Sequence, residues 1–235
     1  MKPVFFAILM AIYCANYTSA AIIVDQQNDV RLHGSISGYY LDYPGDYMQQ
    51  TFTLRNSGKL IGVGVQVELF DFGGGTPQTP IDDLHIRIVR TDSNGFGSIN
   101  QVLAEGTISP ASLPTTGRAI TDVNFSNPQM QVAAGEKLSI VLSSEQTDHS
   151  GPPLASNYLW LRNRHNPHPG GEYSIYSPSL YGPTPLRDIW LGGGDPTLDA
   201  GFRVYVATIP EPNSIVLLSF FVAIVAVRRR DRSFN

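Results

Sequence analysis

Between residues 61 and 69 two classes of side chain alternate: Ile61, Val63, Val65, Val67 and Leu69 in one phase, Gly62, Gly64, Gln66 and Glu68 in the other. A period of two puts the five branched apolar groups on one face of an extended strand, and no helix does so. Glycine weakens a strand, so two glycines on the opposite face predict that another part of the chain approaches that face closely. A sheet with one apolar face needs a second layer to cover it.

Shorter runs repeat the pattern at 50–54, 84–89, 102–108, 123–125, 138–142, 158–161, 189–191 and 202–206. Turn chemistry separates them at Arg55-Asn56-Ser57-Gly58, at 71–80, at 92–97, at Pro128 and at Ala133-Ala134-Gly135-Glu136. No stretch of this region has helical periodicity. About nine short strands with uneven loops predict an all-β fold, a two-sheet antiparallel sandwich of jelly-roll-like type. Its expected core is Phe52, Leu54, Ile61, Val63, Val65, Val67, Leu84, Ile86, Ile88, Val123, Phe125, Leu138, Ile140, Leu142, Phe202 and Val204.

Cys14 is the single cysteine of the 235 residues, and it lies in an N-terminal apolar run. If that run is removed, the remainder has no disulfide, thiolate metal site or cysteine nucleophile, and its stability comes from a hydrophobic core. Residues 21–207 suffice for one large domain. Between Ala21 and Pro212 there are 11 Lys and Arg against 19 Asp and Glu, a net charge of −8. Such a body repels nucleic acid and anionic membrane surfaces.

The two ends read differently. Lys2, an apolar run over 4–13 and small residues up to Ala20-Ala21 predict a signal peptide over 1–20 that engages the Sec export machinery. At the other end, Ile209 precedes Pro210-Glu211-Pro212. An apolar run over 215–227 follows, then Arg228, Arg229, Arg230 and Arg232. These 13 residues, as a helix, rise about 20 Å against roughly 30 Å of hydrocarbon, and arginines that reach back to the headgroups close the difference. Clustered basic residues predict a cytoplasmic end, with everything before Pro210 across the inner membrane.

In this order, Pro-Glu-Pro, apolar helix and terminal arginines resemble the PEP-CTERM sorting signal of Gram-negative bacteria; the residue before the motif is Ile209 where valine is commoner. The resemblance covers 209–235, with the motif at 210–212, a transmembrane helix over about 213–227 and a basic end at 228–235. It implies that an exosortase, a membrane cysteine protease, processes the tail and releases the protein to the cell surface or extracellular matrix. The residues alone describe an ordinary C-terminal anchor on a proline-rich stalk. Both readings give the ectodomain, 21–208, the same topology.

Candidate chemistry within the ectodomain is sparse. The run 92–97, Asp-Ser-Asn-Gly-Phe-Gly, spaces oxygen side chains as calcium loops do, but no carboxylate follows where an EF-hand requires one. An inter-strand turn explains it. A structural calcium ion is the one cofactor left open, with Asp25, Asp29, Asp195 and Asp199 as its carboxylates. His165 and His168 flank Pro167, which disfavours the helix that would align them on a metal, so they and His149 read as residues of a solvated loop. No His-Glu-x-x-His, Gly-x-Ser-x-Gly or phosphate-binding glycine loop occurs. Asp82 and Asp83 are adjacent, so on a strand they point to opposite faces.

Aromatic residues are the better lead. Tyr39, Tyr40, Tyr43 and Tyr47 cluster before the first clear strand, and Tyr158, Trp160, Tyr173, Tyr176, Tyr181 and Trp190 crowd the later loops. Sugar rings stack on such side chains while flanking polar groups bond their hydroxyls. Both tryptophans sit in strand contexts and read as core, which leaves Tyr39, Tyr40, Tyr43, Tyr173, Tyr176 and Tyr181 as glycan contacts. The expectation is a non-enzymatic, surface-sorted sandwich that adheres to or binds extracellular polysaccharide. The alternatives are a carbohydrate-active hydrolase or lyase, which needs two convergent carboxylates about 5 to 10 Å apart, and a purely structural matrix protein.

Overall fold

The computed structural model describes residues 20–29, 37–40, 47–70, 82–93, 95–113, 119–125, 130–144, 157–163, 171–176, 186–187 and 199–208. The chain divides into two compact units, Ile23–Val206 and a second made of its ends, Met1–Ile22 with Ala207–Asn235. In the second unit, the amide and hydroxyl of Thr208 both donate to the Ala21 carbonyl, at 2.9 and 3.2 Å. The expected signal peptide, sorting motif, transmembrane helix and arginine cluster lie outside the described residues. Among the described residues no helix is long and apolar enough to cross a membrane.

The described residues are all-β, with only a short 3-10 turn at Pro110–Ser112 besides strands. The strands are β1 Ile22–Asn28, β2 Ser37–Tyr40, β3 Tyr47–Thr53, β4 Gly58–Val65, β5 Val67–Phe70, β6 Leu84–Thr91, β7 Gly97–Ile108 and β8 Thr121–Asn124. They continue with β9 Gln131–Val132, β10 Lys137–Ser144, β11 Asn157–Asn163, β12 Tyr173–Tyr176, β13 Leu186–Arg187, β14 Asp199–Ala200 and β15 Phe202–Thr208. A five-stranded sheet runs β1-β15-β4-β8, with β9 also on β4; a six-stranded sheet runs β13-β12-β3-β10-β6-β7; a four-stranded sheet runs β14-β11-β2, with β5 also on β11. The registered pairs are antiparallel, as in Leu142 opposite Met48 and Ile86.

Alternation decides which faces meet. Phe202, Val204 and Val206 of β15, Leu84, Ile86 and Ile88 of β6, and Leu138, Ile140 and Leu142 of β10 enter one apolar cluster fed by all three sheets. The rings of Phe52 on β3 and Phe202 on β15 meet with centroids 6.0 Å apart, joining the six-stranded sheet to the five-stranded one. Such a pair adds about 1 kcal/mol beyond its buried area. The arrangement is sandwich-like, and every expected core residue but Ile61 is buried.

Three details depart from the sequence expectation. The 61–69 run is two strands: it breaks at Gln66, so Val67 and Leu69 belong to a different sheet from Val63 and Val65. At the break three backbone bonds tie three strands together, Gln66 N–H to Gly201 O at 3.0 Å, Leu161 N–H to Gln66 O at 2.9 Å and Gly201 N–H to Leu161 O at 2.8 Å. Gly201 is needed there because a Cβ would collide with the Gln66 side chain. The two sheets expected become three for the same reason: at this corner the chain changes sheet twice, from β4 to β5 and from β14 to β15. Finally, Leu60 is wholly buried and Ile61 only partly, so burial along β4 changes phase before Val63.

Two turns carry the chain between sheets and are stapled to one another. Leu54 donates to Glu136 O at 3.0 Å, and Gly135, at φ +85°, donates to Leu54 O at 2.8 Å. The positive φ suits glycine there. Asp25, on β1, accepts from Arg55 N–H at 2.9 Å, Asn56 N–H at 2.8 Å and Asn56 Nδ2 at 2.9 Å. One carboxylate therefore closes the 55–58 turn.

Candidate functional site

Strand pairing brings together the two tyrosine clusters that lie far apart in sequence. Tyr39 is opposite Trp160 and Tyr40 opposite Leu159 in the β2–β11 ladder, and Tyr176 is opposite Tyr47 in the β12–β3 ladder. Tyr43, Tyr181, Trp190 and all three loop histidines, His149, His165 and His168, lie outside the described residues. Tyr173 is a correction. It was expected in a loop, but it stands on β12 opposite Gln50 at 1% exposure, its ring edge-on to Trp160 at 5.9 Å. Arg162 places its guanidinium carbon 5.4 Å from the centroid of the same Tyr173 ring, a buried cation–π contact. The alternation of β12 turns Tyr173 and Ile175 inward, so Tyr173 presents no face to a sugar.

This aromatic group sits beside a polar seam that crosses the core. Gln50 donates to Asp199 Oδ1 at 3.0 Å and accepts from Ala200 N–H at 2.8 Å. Asn28 donates to Ala200 O at 2.7 Å, Gln66 to Asp29 Oδ1 at 2.9 Å and Trp160 Nε1 to Gly201 O at 2.9 Å. Buried amides and carboxylates persist only when so partnered. Asp25, Asp29 and Asp199, the described calcium candidates, thus each accept hydrogen bonds from protein groups; Asp195 lies outside the described residues. Among the described residues no group of three His, Cys, Asp or Glu is placed to hold a metal ion.

The 92–97 run forms the β6–β7 hairpin. Asp92 Oδ1 accepts from Phe96 N–H at 2.9 Å, and Gly95 takes φ +84°. Asp82 and Asp83 precede β6 rather than lying on it, and the Asp82 carbonyl accepts the hydroxyl of buried Tyr158.

The arrangement open to solvent is on the outer face of the five-stranded sheet. Val204 and Val206 point inward, so Arg203 and Tyr205 point out from β15; Val123 points inward, so Asp122 and Asn124 point out from β8. Between them, on β4, the outward positions are Gly62 and Gly64, which face Asn124 and Asp122 in register. A Cβ at Gly64 would collide with Asp122 Oδ1 and Ile120 Cγ2, and one at Gly62 with the Val123 carbonyl. This is the close approach that the alternating glycines predicted.

Across that floor Tyr205 donates its hydroxyl to Asp122 Oδ1 at 2.7 Å. Burial first, then this bond, push the phenol above the ordinary tyrosine range, while Arg203 pulls the other way. The phenol is therefore a protonated donor at neutral pH. Sequence reasoning passed over Tyr205, Asp122 and Arg203 because none lies in a cluster. The available signal was glycine at two successive outward positions of a strand. No protein-family model matches the chain, and no curated protein matches it.

Proposed function

We propose that this chain is an exported, surface-sorted protein of the bacterial envelope or extracellular matrix that works without catalysis, by adhering to glycan. In this reading its fold is a jelly-roll-like sandwich. Supporting that finer class, β1 and β15, near the two ends of the body, are neighbours in one sheet. The Sec machinery exports the chain, the apolar run before the arginines holds it in the inner membrane, and an exosortase-type enzyme processes it near Pro210-Glu211-Pro212.

The observation that carries the binding part is the outer face of the five-stranded sheet, where Tyr205, Asp122 and Arg203 stand together beside glycine-bearing β4. An aromatic ring with an acceptor and a donor beside it is the usual chemistry of sugar recognition. The test has two arms. Fractionation of the producing cell should place the body outside the cytoplasm, with a mass short of the arginine tail. The surface-recovered protein should bind polysaccharide on an array, and its deletion should change matrix composition or attachment. Recovery from the cytosol with both ends intact defeats the export reading; a silent array with an unchanged matrix defeats the binding one.

A further inference from the structure

Tyr205 is on β15 and Asp122 on β8, with β4 between them. Neighbouring strands are about 4.8 Å apart, so the two backbones are separated by roughly 10 Å. Strand side chains ordinarily stand perpendicular to their sheet, which would lift the phenol away from the surface. The 2.7 Å bond to Asp122 instead closes that gap above β4, where the Asp122 carboxylate leans over Gly64. It can do so because β4 offers only Gly62 and Gly64 outward there; Val63 and Val65 are wholly buried on the other side. The result is a half-buried aromatic ring anchored at its hydroxyl by a solvent-exposed bond.

We infer that this ring, with the Asp122 carboxylate at its tip and Arg203 beside it, is a subsite for a neutral sugar unit of an extracellular polysaccharide. The inference rests on the glycan-adhesion reading and adds the place and the charge class. The C–H face of a pyranose stacks on the ring, one hydroxyl donates to Asp122, and a neighbouring hydroxyl accepts from Arg203. Asp122 is solvent-exposed and spends one oxygen on Tyr205, which leaves the other as an acceptor. A uronate at that position would face this carboxylate on a body of net charge −8, so charge selects a neutral chain.

The experiment uses the full chain in detergent. Binding to a soluble neutral glucan, a neutral mannan and a uronate polymer is followed by calorimetry, with thermal unfolding recorded for every variant. Wild type should bind a neutral polymer and not the uronate. Tyr205→Ala should weaken that binding about tenfold, and Asp122→Asn about fivefold. Glu105→Ala, on β7 of the six-stranded sheet, should leave it unchanged. Equal binding by a folded Tyr205→Ala overturns the subsite while adhesion through another surface stands. Should Tyr205→Ala fail to fold, equal binding by Asp122→Asn overturns it. A preference for the uronate overturns it as well, and no binding to any of the three removes the adhesion reading itself.

Discussion

The hydroxyl of Tyr205, on β15, donates to Oδ1 of Asp122, on β8, at 2.7 Å over β4, a strand that belongs to neither residue. Gly64 stands opposite Asp122 in that strand, and a side chain there would occupy the space of the accepting oxygen. Gly64→Ala should therefore destabilise the protein by about 1–3 kcal/mol, although alanine is ordinarily no worse than glycine in a strand. Urea unfolding of the pair measures this. A neutral or stabilising result would show that Asp122 moves aside freely.

Asp25 has one carboxylate and three donors from the 55–58 turn. Net of exchange with water, a hydrogen bond to a charged acceptor contributes about 1.5–3 kcal/mol, so Asp25→Ala should cost about 2 kcal/mol or more. Amide exchange should quicken at Arg55 and Asn56 beyond the global change. Uniform exchange across the chain would mean that the turn does not depend on Asp25.

Gln50 is wholly buried, and its amide satisfies both Asp199 and the Ala200 N–H. Gln50→Leu keeps the volume and takes one hydrogen bond each from a buried carboxylate and a backbone N–H. A loss of about 3 kcal/mol or more is expected, against under about 1.5 kcal/mol for a volume-conserving swap at a purely apolar site. Chemical denaturation of this variant beside Leu142→Met separates the two cases.

Tyr158 is buried at the foot of β11, and burial, then Asp83 and Asp82, push its phenol well above the ordinary tyrosine value. The folded state thus holds this proton more tightly than the unfolded chain, whose tyrosines titrate near about 10. The resulting stability is fully present below that pH and is lost as pH rises through the folded value. Unfolding free energy should fall on the alkaline side of about pH 10, and Tyr158→Phe should flatten that limb. The same slope in Tyr158→Phe would assign the loss to other groups.

Much of the architecture was legible in order of residues because a strand's faces are a local property. Val63-Gly64-Val65, Leu84 to Ile88, Leu138 to Leu142 and Phe202 to Val206 alternate, and each buries the face the alternation names. The hairpin at Gly95 and the turn at Gly135 were equally plain, since the backbone there takes a positive φ that glycine tolerates. Trp160 was rightly read as core. Other features left no local trace. Nothing in Val65-Gln66-Val67 marks a change of sheet, because the break depends on Leu161 and Gly201 arriving from elsewhere. Tyr173 looks like any loop tyrosine until β12 pairs with β3 and turns it under Arg162.

By itself the amino-acid order determined that this body is made of strands, which of their faces are apolar, and that two glycines on β4 make room for something. What comes to fill that room was decided only in three dimensions. Tyr205 and Asp122 are 83 residues apart, and their meeting requires β15 and β8 to flank the same strand in one register. Register between distant strands is set by the packing of the whole core, and no window of sequence contains it.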